Sequence, residues 1–283
     1  MKNTNKLENI RRILSPHTES PYLAAQLLLS EVLDQPRSTV LAHPDPDLTP
    51  AQQNQLDEMV DQMRRGIPLP YVIGHWEFYR LDFQINPSVL IPRPETELLV
   101  EEALNWLSSH PSRRWAADVG TGSGCIAVSL AHQIPDLQVL ASDLSRSALN
   151  TASQNARRQG VSSRVHLLQA DLLTAVEKDF DLLIANLPYI PRPKLQQLPV
   201  YQREPTLALN GGEDGSEIIE RLLSDARRST APGGMLLLEI DEDTGPKNLE
   251  LSRKYFPESE IHLKTDLSGQ DRYLKIKTQG DHQ

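Results

Sequence analysis

Asn186-Leu187-Pro188-Tyr189 is the part of this sequence whose residue types and order most directly suggest chemistry. It follows the apolar run Leu182-Leu183-Ile184-Ala185, so a polar side chain is expected where a buried strand ends. The Asn186 side-chain oxygen and the Leu187 carbonyl can each accept one N–H of a planar NH₂ group. Tyr189 can stack on that group and attract a nearby positive charge. In isolation, these four residues read equally well as a simple proline turn.

A second constellation lies upstream. Trp115–Val119 reads as a strand running into Gly120-Thr121-Gly122-Ser123-Gly124, with a helix after it. Glycines let the backbone turn sharply and approach a ligand, and a helix start offers free N–H groups. The spacing is G-x-G-x-G rather than the G-x-G-x-x-G of dinucleotide sites, and Cys125 follows, which ranks a nicotinamide cofactor second. Asp143 ends the next candidate strand, where a carboxylate can accept hydrogen bonds from both ribose hydroxyls; its alternative role is an N-cap. Asp171, just past the third strand, can reach an adenine amino group with Leu172 against the ring, or be a solvated loop residue. Three such positions at successive strand ends favour an adenosine-containing cofactor.

Residues 115–264 must position these groups. Candidate strands at Trp115–Val119, Gln138–Ser142, Arg164–Leu168, Phe180–Ala185, Met235–Ile240 and Ile261–Lys264 alternate with helices at Cys125–His132, Ser147–Gln159 and Gly215–Ser229. Alternation of this kind implies a mostly parallel sheet covered on both faces, with ligands beyond the carboxyl ends of the strands. The first 70 or so residues read as helices: Ser20-Pro21 and Thr49-Pro50 are start signals, followed by apolar faces at Tyr22, Ala25, Leu28, Leu29, Val32 and Leu33 and at Leu56, Met59, Val60 and Met63. Between the two regions, Leu81, Phe83 and Ile85 alternate with polar residues, and 74–78 can supply the other strand of a hairpin. The aromatics Tyr71, Trp76, Phe78, Tyr79 and Phe83 crowd this stretch, either packing two domains together or contributing to substrate binding. Two prolines in Ile91-Pro92-Arg93-Pro94 stiffen the chain before a helix starting near Glu95.

The bulk numbers exclude several classes. Among 283 residues, 29 Lys and Arg face 38 Asp and Glu, a net charge of −9 that argues against tight binding of free DNA or RNA. No apolar run approaches the roughly 20 residues that cross a bilayer, and the start of the chain lacks a signal-peptide core, so a cytoplasmic location is expected. One cysteine permits no internal disulfide, and the eight histidines show no i, i+4 pair, which speaks against a protein-bound metal. Cys125 has no His partner nearby in the sequence and reads as a small residue at a helix start.

Val119–Gly124, Asp143 and Asn186–Tyr189 together resemble the amino-group methyltransferases that carry Asp, Asn or Ser, then Pro or Leu, then Pro and an aromatic. Within that class the chain resembles the release factor glutamine methyltransferase family of the HemK/PrmC type. The resemblance runs through Pro70–Gly74, Glu77-Phe78, Val89–Glu97, Glu204-Pro205, Ala208-Leu209, Gly211–Gly215 and Ser268–Arg272, almost the whole chain. Val89–Glu97, containing Ile-Pro-Arg-Pro-Glu-Thr-Glu, is its most specific part. Two positions depart from the family pattern: Leu187 stands where Pro is usual, and Asp241 follows Leu238-Glu239-Ile240 where Gly is common.

The resemblance implies a Rossmann-like domain over residues 95–283 with a seven-stranded sheet, a hairpin linker over 71–94 and a helical substrate-recognition domain over 1–70. It implies S-adenosyl-L-methionine as cofactor, held by residues 120–124 with Asp143, Leu172 and Asn186. The acceptor would be the Gly-Gly-Gln glutamine of class-1 peptide chain release factors, held by Asn186, Leu187, Pro188 and Tyr189. A monomer without membrane or free nucleic-acid partners is expected. The competing readings are a nucleic-acid amino methyltransferase, a nicotinamide-dependent dehydrogenase and a non-catalytic module.

Overall fold

The computed structural model describes residues 5–280; the outermost residues of the expected first and last domains lie outside them. Contacts divide the chain into two units, residues 1–75 and 76–283. The first unit is helical: α1 Lys6–Leu14, α2 Pro21–Leu33, α3 Arg37–Ala42, α4 Pro50–Arg64 and α5 Leu69–Ile73. Leu7, Ile10, Leu14, Leu28, Leu29, Leu56 and Met63 form its core. Each fully buried leucine contributes about 1.5–3 kcal/mol. Thr49 caps α4 in a reciprocal box with Gln52, as its position before Pro50 suggests. Ser20 begins α2 without a side-chain cap bond, and Tyr22, expected on the apolar face, is 48% exposed.

At the boundary comes β1 His75–Phe78, all but its first residue in the second unit, followed by β2 Leu81–Gln84; Tyr79 and Arg80 join them. Both turn residues have positive φ, the geometry that matches a two-residue turn to the twist of its strands. Phe78 and Phe83 pack edge to face with centroids 6.1 Å apart. After α6 Glu97–Ser109, the chain alternates through β3 Trp115–Val119, α7 Cys125–Gln133, β4 Gln138–Asp143, α8 Arg146–Arg158, β5 Val165–Gln169 and β6 Phe180–Ala185. It continues through α9 Arg192–Leu195, α10 Glu217–Ser229, β7 Thr230–Glu239, α11 Gly245–Tyr255, β8 Glu260–Thr265 and β9 Asp271–Lys277.

The seven strands lie in the order β5-β4-β3-β6-β7-β9-β8. The first five are parallel, and β9 runs antiparallel to both β7 and β8. Six of these seven strands match the sequence expectation; β9 is the additional one. Its apolar Leu274 and Ile276 alternate with Lys275 and Lys277, the pattern of a strand packed on one face. Strands are added outward from β3 to β5 and then in the opposite sense from β6 to β7, so the order switches between the parallel neighbours β3 and β6. A crevice opens beyond their carboxyl ends, where ligands bind in such sheets.

Asn155, fully buried on α8, ties the hairpin to this crevice. Its oxygen accepts from the Gln84 backbone N–H at 2.7 Å, and its amide donates to the carbonyls of Gln84 and Ser123 at 3.0 and 2.8 Å. Among the described residues, no helix is long and apolar enough to cross a membrane, and no cluster of His, Cys, Asp and Glu could hold a metal ion.

Candidate active site

Beyond β3, β4, β5 and β6 lies a cavity of about 470 Å³. Its wall includes Gly120, Thr121, Gly122, Ser123, Asp143, Asp171, Leu172, Asn186, Leu187 and Pro188, so most residues singled out from sequence converge there. Gly124 stands back from the wall. It begins α7 at φ +80°, and a Cβ there would sit 3.0 Å from that of Ala152, so both conformation and packing require glycine. Tyr189 lines a second hollow, of about 140 Å³. Leu90, Arg93, Asn186, Leu187, Pro188 and Ala208 belong to both walls.

The glycine loop is more fully bonded than its sequence suggests. Gly120 and Thr121 N–H groups both donate to the Ser142 carbonyl at 2.9 Å, and Gly124 N–H donates to Thr121 at 2.8 Å. Gly122 N–H donates to the Asp143 carboxylate at 2.9 Å. Four N–H groups of the loop are therefore already paired, three of them with the end of β4. Asp118, buried at the end of β3, accepts from the Thr121 hydroxyl at 2.6 Å and from Ala127 N–H in the first turn of α7 at 3.1 Å. Burial pushes the Asp118 carboxyl up to about 7.

Asp143 accepts from Ser145 N–H at 2.8 Å as well as from Gly122, and desolvation raises its pKa despite these bonds. Ser145, not Asp143, caps α8, taking the Ala148 N–H at 3.2 Å. Asp171 forms an ion pair with Arg221 at 2.6 Å; both side chains are half exposed, so the pair contributes little to stability. Arg221 lines the cavity and had no role in the sequence reading. Leu172 sits on the wall with φ +56°, a conformation that costs a non-glycine residue about 1–2 kcal/mol. Desolvation pushes the Cys125 thiol up to about 12, far from a reactive thiolate.

Asn186 lies just past β6. Its NH₂ donates to the Thr96 hydroxyl at 2.9 Å, and Thr96 donates to Glu239 at 2.7 Å. The second Glu239 oxygen accepts a longer bond, 3.4 Å, from the Tyr189 hydroxyl. Burial raises Glu239 to about 7, and burial with the charge of Glu239 keeps the Tyr189 phenol protonated. Neither Thr96 nor Glu239 had been given a role. The available signal was a charged residue closing the apolar strand Met235–Leu238, much as Asn186 closes β6.

Leu187 has a packing role beside the backbone one. Its side chain is buried in the core, and its Cδ2 lies 2.8 Å from where a Gly120 Cβ would be, so it fills the space that glycine leaves. Asp241, the other departure, has ordinary extended φ and caps the short turn after β7 by accepting from Asp243 N–H at 3.0 Å, a role with no need of glycine. Glu204 ties the segment before α6 to the loop after α9: it accepts from Ile91 N–H at 3.1 Å and pairs with Arg93.

Residues 6–74 match the model of the PrmC N-terminal domain, and residues 95–201 match that of the methyltransferase small domain. The release factor glutamine methyltransferase of Moorella thermoacetica is 42% identical over 267 residues, 94% of each chain. Its counterpart from Nitratidesulfovibrio vulgaris is 38% identical over 269 residues, 93% of this chain and 90% of its own. A methyltransferase structure from Pyrococcus furiosus is 18% identical with TM-score 0.52, covering 82% of this chain and 100% of its own; that likeness is one of fold.

Proposed function

The chain belongs to the release factor glutamine methyltransferase family, and we propose that it transfers a methyl group from S-adenosyl-L-methionine to the glutamine side-chain nitrogen of the Gly-Gly-Gln motif in class-1 release factors. The observation that carries this reading is the wall shared by two hollows. Asn186, Leu187 and Pro188 separate a large cavity suited to a cofactor from a small one suited to a single side chain.

The residues fit the cofactor. A cavity of this size falls within the range of about 300–1,000 Å³ usual for small-molecule sites. Asp143 would take the ribose hydroxyls, Leu172 the adenine face, and Gly120–Ser123 would form the floor beneath the methionine part, with Gly124 behind them. Asp171 reaches the adenine amino group only by sharing its carboxylate with Arg221. When bound, the cofactor supplies an electrophilic methyl group.

The chain's own residues then address a chemical difficulty. An amide nitrogen is a poor nucleophile because its lone pair is delocalised into the carbonyl. The Asn186 oxygen and the Leu187 carbonyl would accept its two N–H bonds, orient the nitrogen and stabilise the positive charge that develops on it. Tyr189 would stack on the amide plane. The methylated nitrogen is strongly acidic, so water takes the proton and a dedicated base is unnecessary.

Residues 1–70 would recognise the release factor, 71–94 would link the domains, and 95–283 would carry catalysis, in a cytoplasmic monomer acting without free nucleic acid or membrane. The test is labelled cofactor with a purified release factor, located by mass spectrometry. The motif glutamine should be methylated, and its replacement by glutamate should abolish labelling. Label persisting on the glutamate variant, or appearing on naked DNA, would overturn the choice of acceptor.

A further inference from the structure

Asn186, at the end of β6, is backed by two further elements that contribute one polar group each: Thr96 from the turn before α6 and Glu239 from the end of β7. Thr96 and Glu239 are 2% and 4% exposed. A carboxylate in such a place costs desolvation free energy that an apolar side chain would not. Its neighbours on β7, Leu236, Leu237 and Leu238, are apolar and buried.

The geometry of the relay has a directional consequence. A hydroxyl carries one proton, and with Glu239 ionised Thr96 directs it to that carboxylate at 2.7 Å. Thr96 therefore offers Asn186 only its lone pairs, and the Asn186 NH₂ must point inward to meet them at 2.9 Å. The carboxamide oxygen is left on the outer side. Were Glu239 replaced by a donor, Thr96 could give its proton to Asn186, and the amide would turn over to present NH₂ instead.

We propose that Glu239, acting through Thr96, is the positioning residue that fixes which end of the Asn186 carboxamide faces the acceptor, restricting the site to groups that offer N–H, such as a primary amide, over carboxylates. The proposal rests on the reading of Asn186 as the group that receives the acceptor amide. The shared contact of Glu239 with Tyr189 places the same carboxylate behind both side chains of that clamp.

The experiment uses the full chain with labelled S-adenosyl-L-methionine and a release factor, comparing Glu239→Leu, Thr96→Val and Thr96→Ser; leucine is chosen because a glutamine oxygen could still accept the Thr96 proton. Glu239→Leu and Thr96→Val should each lower kcat by about a hundredfold, the scale of a misoriented reacting group. Cofactor affinity by calorimetry, which also reports folding, should stay within about twofold, and Thr96→Ser should remain within about tenfold of wild type. In an Asn186→Ala background Thr96→Val should add less than about twofold, because no carboxamide is left to orient.

Wild-type kcat in Thr96→Val or in Glu239→Leu would overturn the relay. So would full additivity with Asn186→Ala, or an equal loss of cofactor affinity and kcat. Should Glu239→Leu fail to fold, Thr96→Val carries the test alone. A wild-type chain that leaves the glutamine unmethylated would overturn the proposed function itself, whereas an active wild type with active variants overturns only the relay.

Discussion

On the β3–β4 side of the cavity, polar groups are held by partners near in sequence: Thr121 by Asp118 three residues away, and Ser145 by Asp143 two residues away. On the β6 side, Asn186 is held by Thr96, 90 residues distant, and Thr96 by Glu239, 143 residues distant. The first wall joins two neighbouring strands of one continuous stretch of chain, its longest link running from Gly122 to Asp143, 21 residues on. The second exists only once three remote segments have packed. A mutation on the first side should act mainly on ligand binding, and one on the second mainly on the rate of transfer.

The sharpest break in this comparison is Asn186→Ala. Transfer should fall about a hundred- to a thousandfold, the cost of removing one preorganised partner of transition-state charge, while cofactor affinity barely changes. Equal losses in kinetics and calorimetry would place Asn186 with the cofactor wall instead. Asp143→Ala is the converse experiment. It should weaken cofactor binding by about 1.5–3 kcal/mol, the scale of hydrogen bonds to a charged group. Unchanged affinity would remove Asp143 from ribose binding.

Leu187→Pro probes the acceptor wall more gently. The residue before Pro188 is already biased to extended backbone, so its carbonyl should keep its aim and transfer should stay within about tenfold. The packing against Gly120 is lost, so the denaturation midpoint should fall even though turnover survives. A folded but inactive variant would show that the side chain has a part in catalysis.

Asp118→Asn should have the smallest effect, since the amide oxygen can still accept from Thr121 and Ala127. Its signature is in pH. The Asp118 carboxyl is raised on folding from an ordinary 3.8 to about 7, so the folded state keeps its proton longer. That stabilisation is present at low pH and disappears as pH rises between those values. Glu239 is raised in the same direction and adds to the slope. Urea midpoints at pH 5 and pH 8 should therefore differ less in Asp118→Asn than in wild type. An unaltered slope would assign the pH dependence elsewhere.

What the sequence discloses follows the same division. The alternation of strand and helix, the glycine loop, Asp143 and the Asn186–Tyr189 clamp are local patterns, and each is readable from a window of a few residues. The positions of Thr96 and Glu239 are not, because no spacing rule connects the start of one helix to the end of a strand 143 residues later. Arg221 and Asn155 escaped notice for the same reason: on a helix, a polar residue aimed at a site looks like one aimed at water. The carbonyl of Leu187 is suggested by its place before Pro188, whereas the packing of its side chain is not, because the space beside Gly120 appears only when β3 and β6 lie side by side. β9 was legible in its alternating Leu and Lys but passed over near the end of the chain.

The internal bonding of the glycine loop bears on the heat of ligand capture. With the N–H groups of Gly120, Thr121, Gly122 and Gly124 already paired, the loop takes its shape when the chain folds. Cofactor uptake then involves no coupled folding of this segment. Its heat-capacity change should track the apolar area covered and lack the large excess that accompanies ordering of a disordered chain.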